Sequence, residues 1–565
     1  MDYLAELTLA IMAKQKSRSP SAGFATDFVS LALKPVLREV HRRGIRIVTN
    51  AGGITPSACA EALARLAREE GVPLRIGIVQ GDDLMPFQDR LRNENTTEMF
   101  TGAPLPHDLA SMNAYIGAFP IAAALDAGAD IVVTGRCADS ALALGPLIHE
   151  FGWGGSDFDL LAAGSIAGHL VECGTQATGG LFSDWHLVKN RENLGYPIAE
   201  CRRDGTFMLS KPKGTGGLVT PLVAAEQLLY ELGDPRNYLL PDVTCDISDA
   251  VITQRGSDLV EISGVRGRAP TDTYKVSAIY TEGYRASATL TIVGAQASEK
   301  AGATGDAILA RCRNILRKTN LGAFTEECME RLGDETAMFG ANSRQPDPRE
   351  VVLRLAVRHP ERKGIEVFAR EIAPFGTAGT PGTTGFSGRP KAQEVFRLYS
   401  FLIRKDFVPI EVLVDGAPVP FANPDTGKAF EAVRAQTTHP AGLSSGDCVD
   451  VPLRSVAIAR SGDKADISHL AVIARDKALL PVLVDQLTEE RVASYFAHLV
   501  KGRVQRYDVP GVGALSFLLH EALGGGGSTS LRSDALGKAF AEILLDMEIK
   551  VPRHLMPVEK QPAVA

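Results

Sequence analysis

The 565-residue chain has no run of about 18 apolar residues, so nothing in it reads as a membrane-spanning helix. Its eight cysteines are scattered at 59, 137, 173, 201, 245, 312, 328 and 448, and none falls in a C-x-x-C pair. That spacing suggests neither a zinc site nor a disulfide framework, and reduced thiols are the default. A basic excess is missing as well. The net charge is −7 and the pI is near 6.0, which gives no electrostatic reason to expect nucleic acid. The N-terminus "MDYLAELTLAIMAKQKSRSP" lacks the basic n-region of a secretory signal, so a cytoplasmic protein is expected. No Tyr is followed four residues later by Lys, no strict G-x-G-x-x-G ends the first strands, and no Walker lysine follows Gly52 and Gly53. These absences argue against a short-chain dehydrogenase and a P-loop protein. No repeat of solenoid length is present.

What is present is an ordinary globular composition, 45% apolar and 22% charged, in a chain too long for one core. Residues 1–185 read as α/β. "GIRIVTN" (44–50), "LRIGIVQ" (74–80) and "ADIVVTG" (129–135) are strand patterns alternating with helical stretches, and Thr55-Pro56 opens a helix. Such alternation predicts a parallel sheet with right-handed crossovers. Residues 186–430 read as α+β, with alternating strand patterns over 243–300, a helical stretch over 301–335, and strands at 350–356 and 410–415. A polar, turn-rich linker is expected over 431–450. Beyond it a β-β-α-β-β-α order over 451–550 predicts a small α+β unit, followed by a tail at 551–565.

Ligands of an open parallel sheet bind outside the carboxyl ends of its strands. Three such ends are legible: Asn50-Ala51-Gly52-Gly53, Gly81-Asp82-Asp83, and Gly135-Arg136-Cys137-Ala138-Asp139. Each carries polar groups on a glycine turn, and together they predict a site; singly, each could be a turn and a helix cap. The Asn50–Gly53 loop offers backbone N–H groups at a helix start. "HLVECGTQATGGLFSDWH" brings Glu172, Asp184 and His186 as acid or base candidates, with Cys173 read as an inert thiol rather than a nucleophile. "KPKGTGG" puts Lys211 and Lys213 beside a glycine loop, suited either to an anionic substrate or CoA phosphate or to a solvated turn. "FGTAGTPGTTGFSGRP" places glycine at 376, 379, 382, 385 and 388. Five triplets with one internal proline are too few for collagen, and the apolar flanks put the loop inside a domain. It is read as a lid in which Gly382 and Gly385 absorb closure. "RSGDKAD" (460–466) is read as an ion-paired turn between strands.

These residues together resemble the acyclic terpene utilisation family AtuA. The motifs that carry the resemblance are "DYLAELT", "RGIRIVTNAGGITP", "GDDL", "ADIVVTGRCADSALALGPLIHEFGW", "ECGTQATGG", "GYPIAE", "KPKGTGGLVT", "QLLYELGDPRNYLLPDV" and "VRGRAPTDTYKVSA". The segment "IARSGDKADISHLAVIAR" resembles the ferredoxin-like domain that follows the main domain in that family. The resemblance implies a Rossmann-like parallel-sheet region, an α+β continuation to 430 and a ferredoxin-like domain over 451–550. Relatives look as though a strand, a glycine-rich loop and a helix precede "DYLAELT", so the chain is expected to lack the first strand of the sheet. The resemblance also implies catabolism of branched acids as acyl-CoA intermediates. The expected function is a hydratase, lyase or thioester hydrolase on a branched or 3-hydroxy acyl-CoA or carboxylate. Asp139 or Glu172 would be acid or base, Arg136 the carboxylate anchor, and Lys211 or Lys213 a phosphate or thioester contact. A non-catalytic subunit of an acyl-CoA carboxylase pathway is the alternative. No metal and no cofactor beyond CoA within the substrate is expected, and a homo-oligomer is plausible for a cytosolic enzyme of this size.

Overall fold

The computed structural model describes the whole chain except residues 5, 20, 345–346, 386–387, 434–446, 528 and 557–565. In chain order the helices around the site are α1 (Glu6–Arg18), α2 (Pro56–Glu70), α3 (Phe119–Asp126), α4 (Ala141–Phe151), α5 (Phe158–Glu172) and α6 (Pro221–Leu228). The strands that position the site are β1 (Ile47–Thr49), β2 (Ile76–Gln80), β3 (Leu109–Ala114) and β4 (Ile131–Thr134), with the long β5 (Thr273–Val293) and β6 (Gln393–Arg404) behind them.

β4 has the all-buried pattern "IVVT" and lies in parallel between β1 and β2. An apolar run without alternation is what a strand covered on both faces requires. The three strand ends expected to converge therefore lie side by side. The sheet is mixed rather than purely parallel. Glu411–Val414 (β7) adds antiparallel to β2, and Ala417–Val419 (β8) adds to β7. α2 begins with Pro56 after Thr55 and ends at Gly71 in a left-handed conformation with φ 67°, the start and stop that its sequence announces.

The second large sheet was only half legible. Leu109–Ala114, read as part of a helical stretch, is a strand that pairs antiparallel with Val276–Tyr280 of β5. β5 runs 21 residues and also pairs with β6 and with Glu350–His359; its register against β6 shifts between Thr281 and Tyr284, beside Gly283 at φ 72°. The stretch expected to be helical over 301–335 splits into a helix Ala297–Lys318 and a strand Glu326–Leu332.

The C-terminal unit follows the expected order. Ala457–Lys464 (β9), Ile467–Ala474 (β10), Val504–Val509 (β11) and Ala514–Leu519 (β12) form one antiparallel sheet in the order β9-β10-β12-β11. Two short helices, Leu480–Gln486 and Glu489–Tyr495, cover it from the β10–β11 connection, and Phe540–Leu544 from the end. The end of the expected linker joins the unit, since the strand Cys448–Pro452 pairs with Glu548–Pro552, which also takes in the start of the expected tail; residues 434–446 and 557–565 lie outside the described residues. Ser461 and Asp463, expected in a turn, are strand residues, and the turn falls at Ala465-Asp466. Ile458, Ala471, Ile473, Val509, Val512 and Ala514 of this unit pack into the apolar cluster of the main domain, so the two share a core. Phe517 is fully buried in the unit's own cluster. Phe517→Ala should destabilise the unit by about 3–5 kcal/mol in urea unfolding, the range for a lost core phenyl ring.

Candidate functional site

The three strand ends are locked together by close backbone approaches. A Cβ on Gly52 would fall 2.4 Å from the Thr134 carbonyl oxygen, and one on Gly135 would fall 2.1 Å from Asp82 Oδ1. No other residue type fits either place. Asp82 is fully buried. Its Oδ2 accepts from the Arg136 backbone N–H and from Asn113 Nδ2, both at 2.8 Å. Burial pushes its pKa up to about 7, the two donors opposing the shift.

Arg136 is the centre. Its side chain is 4% exposed, and Nη1 donates to Asp139 Oδ1 at 2.7 Å and to the Leu4 carbonyl at 3.3 Å. The guanidinium stands 4.0 Å over the Tyr115 ring, and its buried Nε has no hydrogen-bond partner. Asn50 is fully buried beside it. Asn50 Nδ2 donates to Asp2 Oδ1 at 2.5 Å and Asn50 Oδ1 accepts from the Tyr3 N–H at 2.7 Å. Met1 N donates to the Val48 carbonyl at 2.6 Å, which lays residues 1–4 along β1.

α5 delivers the next carboxylate. Gly168 lets the helix touch the segment after Asp139, since a Cβ there would lie 2.7 Å from the Ser140 carbonyl oxygen. One turn on, Glu172 Oε1 meets His169 Nδ1 at 3.0 Å, and His169 Nε2 faces the Leu228 carbonyl at 3.1 Å. Asp2 is exposed as a residue, yet the atoms crowded about its carboxyl group, and then the charge of Asp139, raise its pKa; burial raises that of Glu172, with Asp139 and Asp2 adding to it against the pull of His169. His169 itself is held above its ordinary value: burial disfavours its charge, and Glu172 outweighs burial. The Arg136–Asp139 ion pair thus lies within the charge influence of Asp2, and Asp139 and Asp2 in turn act on Glu172 and its His169 partner.

The candidates from sequence divide. Asn50, Arg136, Asp139 and Glu172 come together, and Asp82 lies beneath them. Gly52 is in the wall as a spacer. The backbone of the Asn50–Gly53 loop is largely used internally: Gly53 N donates to the Asn50 carbonyl and Ala51 N to Thr49 Oγ1. Asp83 accepts from the Met85 N–H at 3.0 Å and pairs with Lys16 at 3.6 Å. Asp184 instead binds Arg475 of the C-terminal unit through two hydrogen bonds of 2.5 and 2.8 Å, and His186 is exposed beside Trp185. Lys211 pairs with Asp258 at 3.0 Å and Lys213 is exposed on the same loop. Gly382 and Gly385 flank Thr383–Thr384, a short strand paired with Thr291 and Ile292 of β5, at the opposite end of that strand from the residues paired with β3. The Cys173 thiol is pushed up to about 12 by burial, as an inert thiol is.

Sequence reading missed Asp2, Asn113, Tyr115 and His169. His169 had a signal: it stands three residues before Glu172, which on a helix puts the two on one face. The others had none, because they depend on which strand neighbours which. Among the described residues, no group of three or more His, Cys, Asp or Glu is arranged to hold a metal ion, and no helix is long and apolar enough to cross a membrane. Two open clefts lie elsewhere, one of about 600 Å³ lined by Arg90, Phe401 and Phe407, the other of about 470 Å³ beside Asp184 and Arg475.

The fold and the site define a two-domain α/β protein with a buried, ion-paired arginine at parallel strand ends and further carboxyl groups close by. Residues 1–414 match the acyclic terpene utilisation family protein AtuA, and residues 451–550 match the AtuA ferredoxin-like domain. The chain belongs to this family, which places it in acyclic terpene utilisation. No curated protein and no solved structure matches it.

Asp82 supplies a pH test. Its folded pKa of about 7 lies above the value of about 4 usual for an unfolded aspartate. Between the two, the folded state keeps a proton that the unfolded state releases, so this group's contribution to stability falls as pH rises. Asp82→Asn cannot ionise. Urea unfolding should show the variant gaining on the wild type between about pH 4 and pH 7; parallel curves would contradict the assignment.

Proposed function

We propose that the chain is a catabolic enzyme that adds or eliminates water on a branched or 3-hydroxy acyl-CoA, or on the related free carboxylate, by acid–base catalysis. One observation supports this reading above the rest: Asp139, paired with the buried Arg136, is close enough to Glu172 for its charge to help hold Glu172 toward the protonated form. A dehydration needs both an acid and a base. A base takes the proton from the carbon beside the carbonyl, and an acid protonates the departing hydroxyl, which leaves as water. In this reading Asp139 is the base and Glu172, backed by His169, the acid. Arg136 Nε–H, which is buried without a partner, takes the substrate's carboxylate or thioester oxygen and stabilises the negative charge that develops there. Lyase chemistry that cleaves a carbon–carbon bond uses the same groups. Thioester hydrolysis is less favoured, since the nearby Cys173 thiol is held protonated.

The test uses the purified chain with branched and 3-hydroxy acyl-CoAs, free CoA and the corresponding acids, followed by thermal shift and product analysis. A substrate should raise the melting temperature with concentration. Asp139→Asn and Glu172→Gln should each lower turnover by about 10²–10⁴-fold while the protein still melts cooperatively. If no ligand shifts the melt and neither change affects turnover, the enzyme reading fails and a binding or assembly role takes its place.

A further inference from the structure

"RSGDKAD" has no part in the site so far, yet its first residue crosses into the main domain. Arg460, on β9, is 5% exposed. Its Nη1 donates to the Leu181 carbonyl at 2.6 Å, and its Nη2 donates to Gln176 Oε1. Its guanidinium lies 5.3 Å over the Tyr230 ring and 3.8 Å from Glu226, whose Oε1 accepts from the Ser183 N–H. Ser183 Oγ in turn donates to the Ala459 carbonyl at 2.8 Å and accepts from the Ala459 N–H at 3.2 Å. Both hydrogen-bond acceptors of Arg460, and Ser183, belong to the segment 173–183, which leaves the C-terminal end of α5 directly after Glu172. Arg460 thus reaches from the C-terminal domain to the segment that follows Glu172.

We propose that Arg460 is a positioning residue for the Glu172–His169 pair: from the C-terminal domain it fixes the turn after α5 and so holds Glu172 against His169. The alternative is a plain interface ion pair with Glu226. At 3.8 Å that contact is longer than both hydrogen bonds to the turn. A guanidinium spends its planar fork where two acceptors can be held at once, and here both acceptors are on the turn. The inference rests on the preceding reading only in giving Glu172 its task.

The test reads geometry without turnover, so its failure is separate from failure of the hydratase reading. The probe is the His169 imidazole in the full chain labelled with ¹³C-histidine, its signal assigned by loss in His169→Asn. The groups facing it are Glu172, Glu231, the Leu228 carbonyl, the Tyr238 ring and, from β10, the neutral His469. In Arg460→Gln the titration midpoint should move by about one unit toward that of Glu172→Gln. The double variant should titrate like Glu172→Gln alone, because two residues acting through one contact do not add. Arg460→Lys keeps the charge without the fork, and should fall between wild type and Arg460→Gln; it serves also if Arg460→Gln does not fold. A midpoint unchanged in both Arg460 variants, or a shift of equal size in the Glu172→Gln background, would overturn the proposal.

Discussion

Asp82 holds two sheets in register. One oxygen of its carboxyl group takes a backbone N–H from the loop after β4 and a side-chain N–H from β3. The Asp82 carbonyl accepts from the Ala114 N–H at 2.8 Å. β3 is part of the sheet built on β5, whereas β2 and β4 belong to the other sheet. The bare Gly135 makes room for the carboxyl group, and the bond to the Arg136 N–H sets where the Arg136 side chain begins. Everything at the site is measured from that point: the Tyr115 ring beneath the guanidinium, Asp139 three residues on, and the residues 2–4 that lie across it.

Crowding then acts on two of the carboxyl groups. Carboxyl groups removed from water favour the neutral form, and a neighbouring carboxylate favours it further. One guanidinium cannot neutralise Asp2, Asp139 and Glu172 together. Arg136 Nη1 binds Asp139, His169 attends Glu172, and Asn50 gives Asp2 a hydrogen bond without charge. Asp2 and Glu172 are both biased toward the neutral form, beside the ion pair of Arg136 and Asp139.

The C-terminal domain is more than an appendage to this arrangement. It shares apolar core with the main domain, and it ties down residues 176–184 through Arg460, Ala459 and Arg475. Asp184, attractive as an acid in the sequence, is consumed by that attachment. A carboxylate with a bidentate arginine partner is the usual end of such a residue at an interface.

The sequence by itself determined the local pieces. β4 could be read because "IVVT" has no polar face, and α2 because proline and glycine mark its ends; the β9–β10 pair reads as two strands, with a turn wider than the Ala465-Asp466 it occupies. Convergence of Asn50, Asp82 and Arg136 was legible too, since parallel strands must end on the same side. Only the tertiary structure decided which carboxylates meet. Strand neighbours are set by packing between segments far apart in the chain, so nothing near Asn113 or Tyr115 announces β3 or its pairing with β5. The same holds for Asp184 and Arg475, 291 residues apart, and for Gly382 and Gly385, whose flexible composition is held in a strand pairing. Local propensity writes the elements; the contacts that give a side chain its charge state and its task are long-range, and they exist only once the chain has closed around them.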